Sequence, residues 1–387
     1  MQQKTMNLVL MSTSHGMNHI FQLLVPIIIP KIKEDYGLST TSAVLLISIF
    51  SLSYALAQTP SGILSKTLGR KKMLVLGFMI TSISFLFMGF IDGIWPMAMI
   101  ALIAGIGGST YHPNGMPLLS EFYQENRGQA AGFHQTGGSF GSIIAPLIIG
   151  PLVVFFNWRL AIIVLSVLGL VLSGILWLLL KEAKLDSTMP SPDQKQAKHT
   201  SGKTYLASLI FIAAAVTYTL GLRGVDSLAT LYFTEGRGIT NFLQATFLFS
   251  LLKIAGLFSG PFCGRLSDTM GRKKTLILLI IIEAAALFTL TSVPIPYLPI
   301  ACLAFGFASF GLLAITDAFL ADITPTEHMA TIFGIHFTTS FITQSIIPPV
   351  YGVIVDSTNS YDLGFVGLSL LVLLSIPILL KLKSTTE

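Results

Sequence analysis

Ionisable and amide side chains recur inside the long apolar stretches of this chain, and their spacing is helical. His15, Asn18, His19 and Gln22 stand at i, i+3, i+4 and i+7, which is one face of an α-helix. Ser51, Tyr54 and Gln58 follow the same rule. Tyr111, His112 and Asn114 flank Pro113, and His134 and Gln135 lead into Ser139 and Ser142. Further on, Thr219, Arg223, Asp226 and Thr230 make a stripe, Lys253, Glu283 and Asp317 stand singly, and His336, Thr339, Ser340 and Thr343 share a face. The chemistry on offer is reversible protonation and hydrogen bonding. Imidazole titrates nearest neutral pH, and a carboxyl in apolar surroundings is raised towards it. Plainer roles compete. Arg223 and Asp226 are spaced to satisfy each other, Glu283 suits a structural hydrogen bond, Lys253 suits a pair with Asp226, Glu283 or Asp317, and His134 suits a bond to a neighbour.

The elements that carry these residues are apolar spans. The chain of 387 residues is 52% hydrophobic and only 11% charged, where a soluble domain has about 25% charge. So few charges cannot cover a surface facing water, and lipid is the solvent that fits. A membrane helix needs roughly 20 predominantly apolar residues. That rule gives twelve spans, at about 7–30, 42–64, 73–91, 94–119, 128–155, 159–180, 205–233, 241–265, 274–293, 297–319, 329–355 and 361–381. The fold class expected is an all-α polytopic membrane protein of two six-helix bundles, 1–180 and 205–387, joined by a polar linker at 181–204. An ionisable side chain near a bilayer centre costs at least about 2.5–3.5 kcal/mol and so normally faces the bundle interior or an aqueous cavity. Stripes in both halves therefore point to a cavity shared between them.

Charge in the loops gives the orientation. Lys66, Arg70, Lys71, Lys72, Arg265, Arg272, Lys273 and Lys274, the linker lysines and Lys381 and Lys383 fall on one side, against Lys31, Lys33, Arg159 and Arg237 on the other. Basic loops stay in the cytoplasm, so both termini and the linker are expected there. The first span carries the polar stripe and is followed by no small-residue cleavage site, which marks it as a retained span and not a signal peptide.

Several function classes are disfavoured. No GxxxxGK[ST] sequence occurs, so no ATP-driven pump is encoded, and no soluble stretch is long enough for an enzymatic domain. His15 and His19 have an HxxxH spacing, but seven histidines do not furnish the several clusters of a membrane di-iron enzyme, and HExxH is absent. Cys263 and Cys302 give neither a disulfide framework nor a CxxC site. The net charge of +5 does not suggest nucleic acid. No cofactor and no resident metal are expected, and a monomer is the default.

One stretch occurs twice. Gly62-Ile-Leu-Ser-Lys-Thr-Leu-Gly-Arg-Lys-Lys72 returns as Gly264-Arg-Leu-Ser-Asp-Thr-Met-Gly-Arg-Lys-Lys274, each copy between an apolar run and the next. The pair resembles the loop motif G-x-L-[SA]-D-x-x-G-R-[RK]-[RK] of the major facilitator superfamily, and with twelve spans and a central linker the resemblance covers the whole chain. A narrower likeness, to the fosmidomycin-resistance branch of efflux proteins, lies in Gly105-Ile-Gly-Gly-Ser-Thr-Tyr-His-Pro113 and in Gly128 to Gly141 followed by Ala145 and Pro146. His15 fits that branch too.

The resemblance implies alternating access, with two halves rocking about a midplane site. It gives Gly264, Asp268, Gly271 and Arg272 the role of stabilising one conformation at the cytoplasmic helix ends. In the first copy Gly62, Gly69 and Arg70 match, but Lys66 stands where the acid belongs, so the charge interaction there is expected to be absent or reversed. The run Gly141-Ser-Ile-Ile-Ala145-Pro146-Leu-Ile-Ile-Gly150-Pro151 resembles an antiporter motif, with Ala145 and Pro151 as departures. The fourth-span arginine of many proton-coupled relatives is replaced by Ala101. Expected protons would thus be carried by His15, His19, His112, Asp226 or Asp317, in a protein that exports a small organic compound against a proton. The alternative is uptake of an organic anion held by Arg223 and Lys253. A membrane enzyme or a sensor without flux fits less well.

Overall fold

The computed structural model describes residues 2–123, 126–182, 202–325 and 328–382, except for the side chains of 2, 127, 202–204 and 330. Most of the expected linker, His199 and Lys383 lie outside the described residues. The described chain is helical, with helices along each of the expected spans. In order these are α1 (Gln2–Tyr36), α2 (Thr40–Leu68), α3 (Arg70–Met88), α4 (Ile94–Gly108), α5 (Tyr111–Phe122), α6 (Arg127–Phe155) and α7 (Trp158–Leu179). The second series is α8 (Gly202–Leu231), which runs into a π-helical turn (Tyr232–Gly236), then α9 (Phe242–Met270), α10 (Arg272–Ser292), α11 (Leu298–Ile323), α12 (Met329–Thr358), α13 (Tyr361–Leu373) and α14 (Ser375–Leu380).

Two expected spans are each split, and proline accounts for both breaks. Pro113 has no N–H to offer the carbonyl of Ser109, where α4 gives way to α5, and Pro377 has none for Leu373, where α13 stops. Ten helical segments are long and apolar enough to cross a membrane. α1 and α12 are not among them, although they are among the longest helices. Those two carry the stripes that begin at His15 and His336, so the polar residues themselves lower their hydropathy.

The chain forms two compact units, Met1–Leu185 with Asp226–Ser250 and Gln344–Asn359, and Asp186–Val225 with Leu251–Thr343 and Ser360–Glu387. In the first, α1 lies along α6 with the backbones touching. A methyl group at Gly141 would overlap the Gly16 carbonyl, and one at Gly137 would overlap the Ser12 carbonyl. Small residues permit this approach. α2 meets α4 where Gly105 lies under the Phe50 carbonyl, and α3 meets α7 through Ser173 Oγ, which donates to the Val75 carbonyl (3.0 Å). Pro146 interrupts the α6 hydrogen-bond ladder. One residue beyond the carbonyl this frees, Ser250 Oγ of α9 donates to the Ile143 carbonyl (3.1 Å).

This unit also draws in helix ends from the second series. Lys33 Nζ pairs with Glu235 (2.6 Å). The Asp356 carboxylate of α12 accepts the N–H groups of Thr40 and Thr41 (both 2.9 Å). That caps the first turn of α2 with a negative charge, where the helix dipole favours one. The Asp356 cap lies at the end of α2 opposite its Gly69 turn.

The second unit repeats the packing of the first. Gly306 of α11 lies under the Leu252 carbonyl of α9, as Gly105 of α4 lies under Phe50 of α2. Ser369 Oγ of α13 donates to the Ala284 carbonyl of α10 (2.8 Å).

The contact between α1 and α6 gives a stability test. Gly141→Leu forces those backbones apart and is expected to cost at least the about 1–3 kcal/mol of an overpacked core. The readout is a lower melting temperature and lower folded yield in detergent. Gly132→Ala, in open space, is expected to leave both unchanged. An unaltered melt for Gly141→Leu would contradict the close contact.

Candidate functional site

The face of α1 predicted from spacing packs into the first unit. His15 is 2% exposed, and its ring is nearly parallel to those of His134 (centroids 4.3 Å apart, 13°) and Tyr111 (5.3 Å, 17°). His112 meets it edge-on at 5.6 Å. Gly138 makes room for this ring, since a methyl group there would press on the imidazole. Tyr111 is fixed by its hydroxyl, which donates to the Met11 carbonyl (2.7 Å).

The hydrogen bonds define the tautomers. His15 Nδ1 is 3.0 Å from the His134 carbonyl oxygen. A carbonyl only accepts, so Nδ1 carries a hydrogen. In the neutral ring Nε2 is then an acceptor, and it lies 3.2 Å from His19 Nε2, which must donate. Next along the face, Asn18 and Gln22 both donate to the Tyr54 hydroxyl (3.3 and 3.2 Å). Asn114 donates to Ser61 Oγ (3.1 Å) and to the Thr110 carbonyl (2.8 Å). His15, Asn18, His19, Gln22, Tyr54, His112 and His134 thus come together. Gln58 is partly exposed on α2, and Gln135 is exposed on α6, one residue and so about 100° around the helix from His134.

The second unit has a different set. The Arg223 guanidinium stands over the Phe341 ring (5.2 Å) and Lys253 Nζ over Phe310 (5.4 Å); both are cation–π contacts. Lys253 is 4% exposed. Glu283 is fully buried and accepts from Ser309 Oγ (2.7 Å). Asp317 is exposed on α11 and His336 is buried on α12, while Asp226, half-buried on α8, falls in the first unit. No three His, Cys, Asp or Glu side chains among the described residues are arranged to hold a metal ion.

A repeat that the sequence reading passed over links the two sets. Gly132-Phe-His134-Gln-Thr136 on α6 returns as Gly334-Ile-His336-Phe-Thr338 on α12, at the spacing that separates Gly62 from Gly264. Both imidazoles are buried, and Nδ1 of each has no hydrogen-bond partner among the described residues. A buried unpaired donor or acceptor costs about 1–3 kcal/mol, so the duplicated chain keeps an unfavourable group at equivalent positions.

At the basic end the two loop motifs have one geometry. Gly69 and Gly271 sit at φ of 89° and 90°, where a side chain is strained. Each glycine N–H closes the preceding helix on a serine carbonyl (Ser65 and Ser267, both 3.0 Å). Arg272 pairs with Asp322 at the end of α11 and lies 3.5 Å from Asp268. Arg70 pairs with Glu121 at the end of α5. No counterpart of the Asp268–Arg272 pair is seen at Lys66 among the described residues; Arg70 takes its acid from outside the motif. The acid comes from the end of the fourth span, as Asp322 comes from the end of the tenth, and exposed Lys66 does not prevent it. Glu182 adds a second carboxylate, accepting the Lys71 N–H (2.7 Å). In the run read as antiporter-like, Gly141 and Gly150 are packing positions, the latter against Thr246, and Ala145 is fully buried beside Pro146.

The sequence matches the profile of the Major Facilitator Superfamily over residues 11–348 and again over 254–387. The chain belongs to the major facilitator superfamily. Among its relatives is the "Probable L-galactonate transporter" of Escherichia coli K12, 25% identical with 87% of this chain and 79% of that protein covered. Another is the "Multidrug resistance protein MdtG" of Serratia proteamaculans, 26% identical over 72% and 69%. The fold is shared with a bacterial homolog of the human lysosomal transporter Spinster, solved in an inward-facing and occupied conformation, at a TM-score of 0.81 and 15% identity over 96% and 95% of the chains. The nucleoside transporter NupG gives 0.78 and 14% over 97% and 100%. These are transporters, so the superfamily member described here is a multi-pass membrane transporter.

Two outcomes are expected of variants. Glu121→Gln should reduce transport about as much as Asp322→Asn, while Lys66→Ala stays near wild type; an impaired Lys66→Ala with an unaffected Glu121→Gln would reverse the assignment. His134→Phe and His336→Phe keep an aromatic ring and delete the unpaired nitrogen. They should melt no lower than wild type yet transport at least about tenfold more slowly, equivalent to about 1.4 kcal/mol. Full activity in both would reduce the two histidines to packing.

Proposed function

We propose that this superfamily member is a secondary active transporter that exports a small organic compound in exchange for a proton by alternating access. The observation that carries the proposal is the His15–His19 pair, joined Nε2 to Nε2 at 3.2 Å. That bond already holds one hydrogen, so an added proton goes to the other ring nitrogen of His19, which becomes the cation and still donates to His15 Nε2. A second proton would leave two N–H donors facing each other and two like charges in contact, which opposes ionisation strongly. The pair therefore binds one proton per cycle. A solute hydrogen-bonded by the same face, through Asn18, Gln22, Tyr54 or His112, competes with that proton. Asp226 and Asp317 remain candidates for its onward route. Each cycle breaks the ties of Lys33 to Glu235 and of Asp356 to the start of α2, and makes or breaks the Arg70 and Arg272 pairs at the opposite end.

Export is supported by the relatives named for multidrug resistance, by the run from Gly141 to Gly150, and by the likeness of the fourth and fifth spans to fosmidomycin-resistance efflux proteins. The loop charges support an inner-membrane location with both termini cytoplasmic. A second reading, uptake of an organic anion, is favoured by the buried Lys253 and by relatives named for L-galactonate and galactarate/D-glucarate transport. Arg223 and Lys253 would then be the solute's ligands.

Proteoliposomes separate the readings. With an imposed pH gradient, wild type is expected to move solute outward and to acidify the compartment the solute leaves, and His15→Gln or His19→Gln should abolish that proton movement. Transport indifferent to the gradient, with both variants fully active, would sink the coupling. Saturable entry of a sugar acid whose KM rises at least about tenfold in Lys253→Gln would establish uptake instead.

A further inference from the structure

The first repeat carries a groove on its outer face that the transport reading does not use. It lies between α3 and α7, encloses about 590 Å³, and is lined by Lys72, Val75, Leu76, Met79, Gly174 and Trp177, with Leu170 and Ser173 at its base. Leu76, Met79 and Trp177 are exposed. Ser173 has already spent its hydroxyl on the Val75 carbonyl, so the walls offer apolar surface. The concavity exists because Gly174 has nothing within 4 Å of where a side chain would begin. Walls of this kind, on helices apolar enough to cross a membrane, fit an acyl chain.

Charge gathers at one end only. Lys72 is exposed at the mouth, and Lys71 Nζ stands 5.6 Å above the Trp177 ring. Glu182 is the nearby acid, and its carboxylate is engaged by the Lys71 backbone N–H. The neighbouring Arg70 is paired with Glu121. In the second repeat the equivalent of Lys71 is committed to structure, since Lys273 Nζ donates to the carbonyls of Leu380 and Leu382 (3.2 and 2.6 Å). The first copy leaves its lysines over an apolar groove, and basic pockets between membrane helices recognise anionic head groups.

We infer that the α3–α7 groove is a binding site for one anionic glycerophospholipid, its phosphate at Lys72 and Lys71 and an acyl chain along Leu76, Met79, Gly174 and Trp177. The lipid fastens α3 to α7 beside the Gly69 turn, and so bears on the Arg70–Glu121 latch from the lipid side.

The test counts retained lipid by native mass spectrometry. Purified protein in mild detergent is offered equal amounts of phosphatidylglycerol and phosphatidylcholine. Wild type is expected to retain phosphatidylglycerol about fivefold over phosphatidylcholine for each lysine engaged. Lys72→Gln should lower that preference about fivefold. Gly174→Phe fills the groove and should lower retention of both lipids, while Gly367→Phe, a second glycine with open space around it, should match wild type. Equal retention of the two lipids by wild type, or a preference unchanged in Lys72→Gln and Gly174→Phe, would overturn the site and leave only unselective lipid around the protein.

Discussion

The first repeat depends on a contact in which no side chain takes part. At Gly16 and Gly141 the backbones of α1 and α6 meet. Lipid supplies no hydrophobic force between helices, so close van der Waals packing has to hold them. The approach also sets the chemistry. It brings the His134 carbonyl within reach of His15 Nδ1, which fixes one tautomer and presents Nε2 to His19. Gly138 clears the space for the ring. A run that resembles an antiporter motif therefore acts here first as a surface of small residues, and positions the histidines through that.

Much of this was legible in the sequence because lipid imposes a simple rule. Apolar runs of about 20 residues are spans, and polar residues at i, i+3, i+4 and i+7 share a face, as His15, Asn18, His19 and Gln22 do. What could not be read was which distant side chains complete a site. Glu121 lies outside the loop motif, so the arginine it pairs with looked bereft of its acid. Its counterpart was still recoverable. Glu121 and Asp322 stand at the ends of the fourth and tenth spans, one residue off the motif's own spacing, so a comparison of the halves that allows a one-residue shift would have exposed them. The same comparison finds the second copy of Gly-x-His-x-Thr at His336. Gln135 shows the opposite limit, for it adjoins His134 in sequence and faces away from the cluster.

The repeats have kept their mechanics and parted in their chemistry. The glycine contacts at Gly105 and Gly306, the strained turns at Gly69 and Gly271, and the arginine pairs at the helix ends are common to both. The polar residues are not. The first unit gathers imidazoles and amides, and the second places Lys253 and Arg223 against aromatic faces and buries Glu283. The features shared by the halves are those of packing and turn geometry. Features that bind solute need occur only once.

That division bears on coupling. A transporter exchanging a solute for a proton must not change conformation with both bound or with neither. In the exchange we propose, the first requirement is met because proton and solute compete for the same face of α1, where His15 and His19 lie 3.2 Å apart. In the same proposal, Lys33–Glu235 and the Asp356 cap are the contacts that a change of conformation would have to break. Lys33–Glu235 is half-buried and Asp356 exposed; surface pairs are worth about 0–1 kcal/mol singly, so the barrier such ties would set is low. A proton or a solute that interacts differently with the two conformations by a few kcal/mol suffices to cross it. In the proposed exchange, one proton replacing one solute on a single helical face would supply that difference, with the proton gradient driving the cycle.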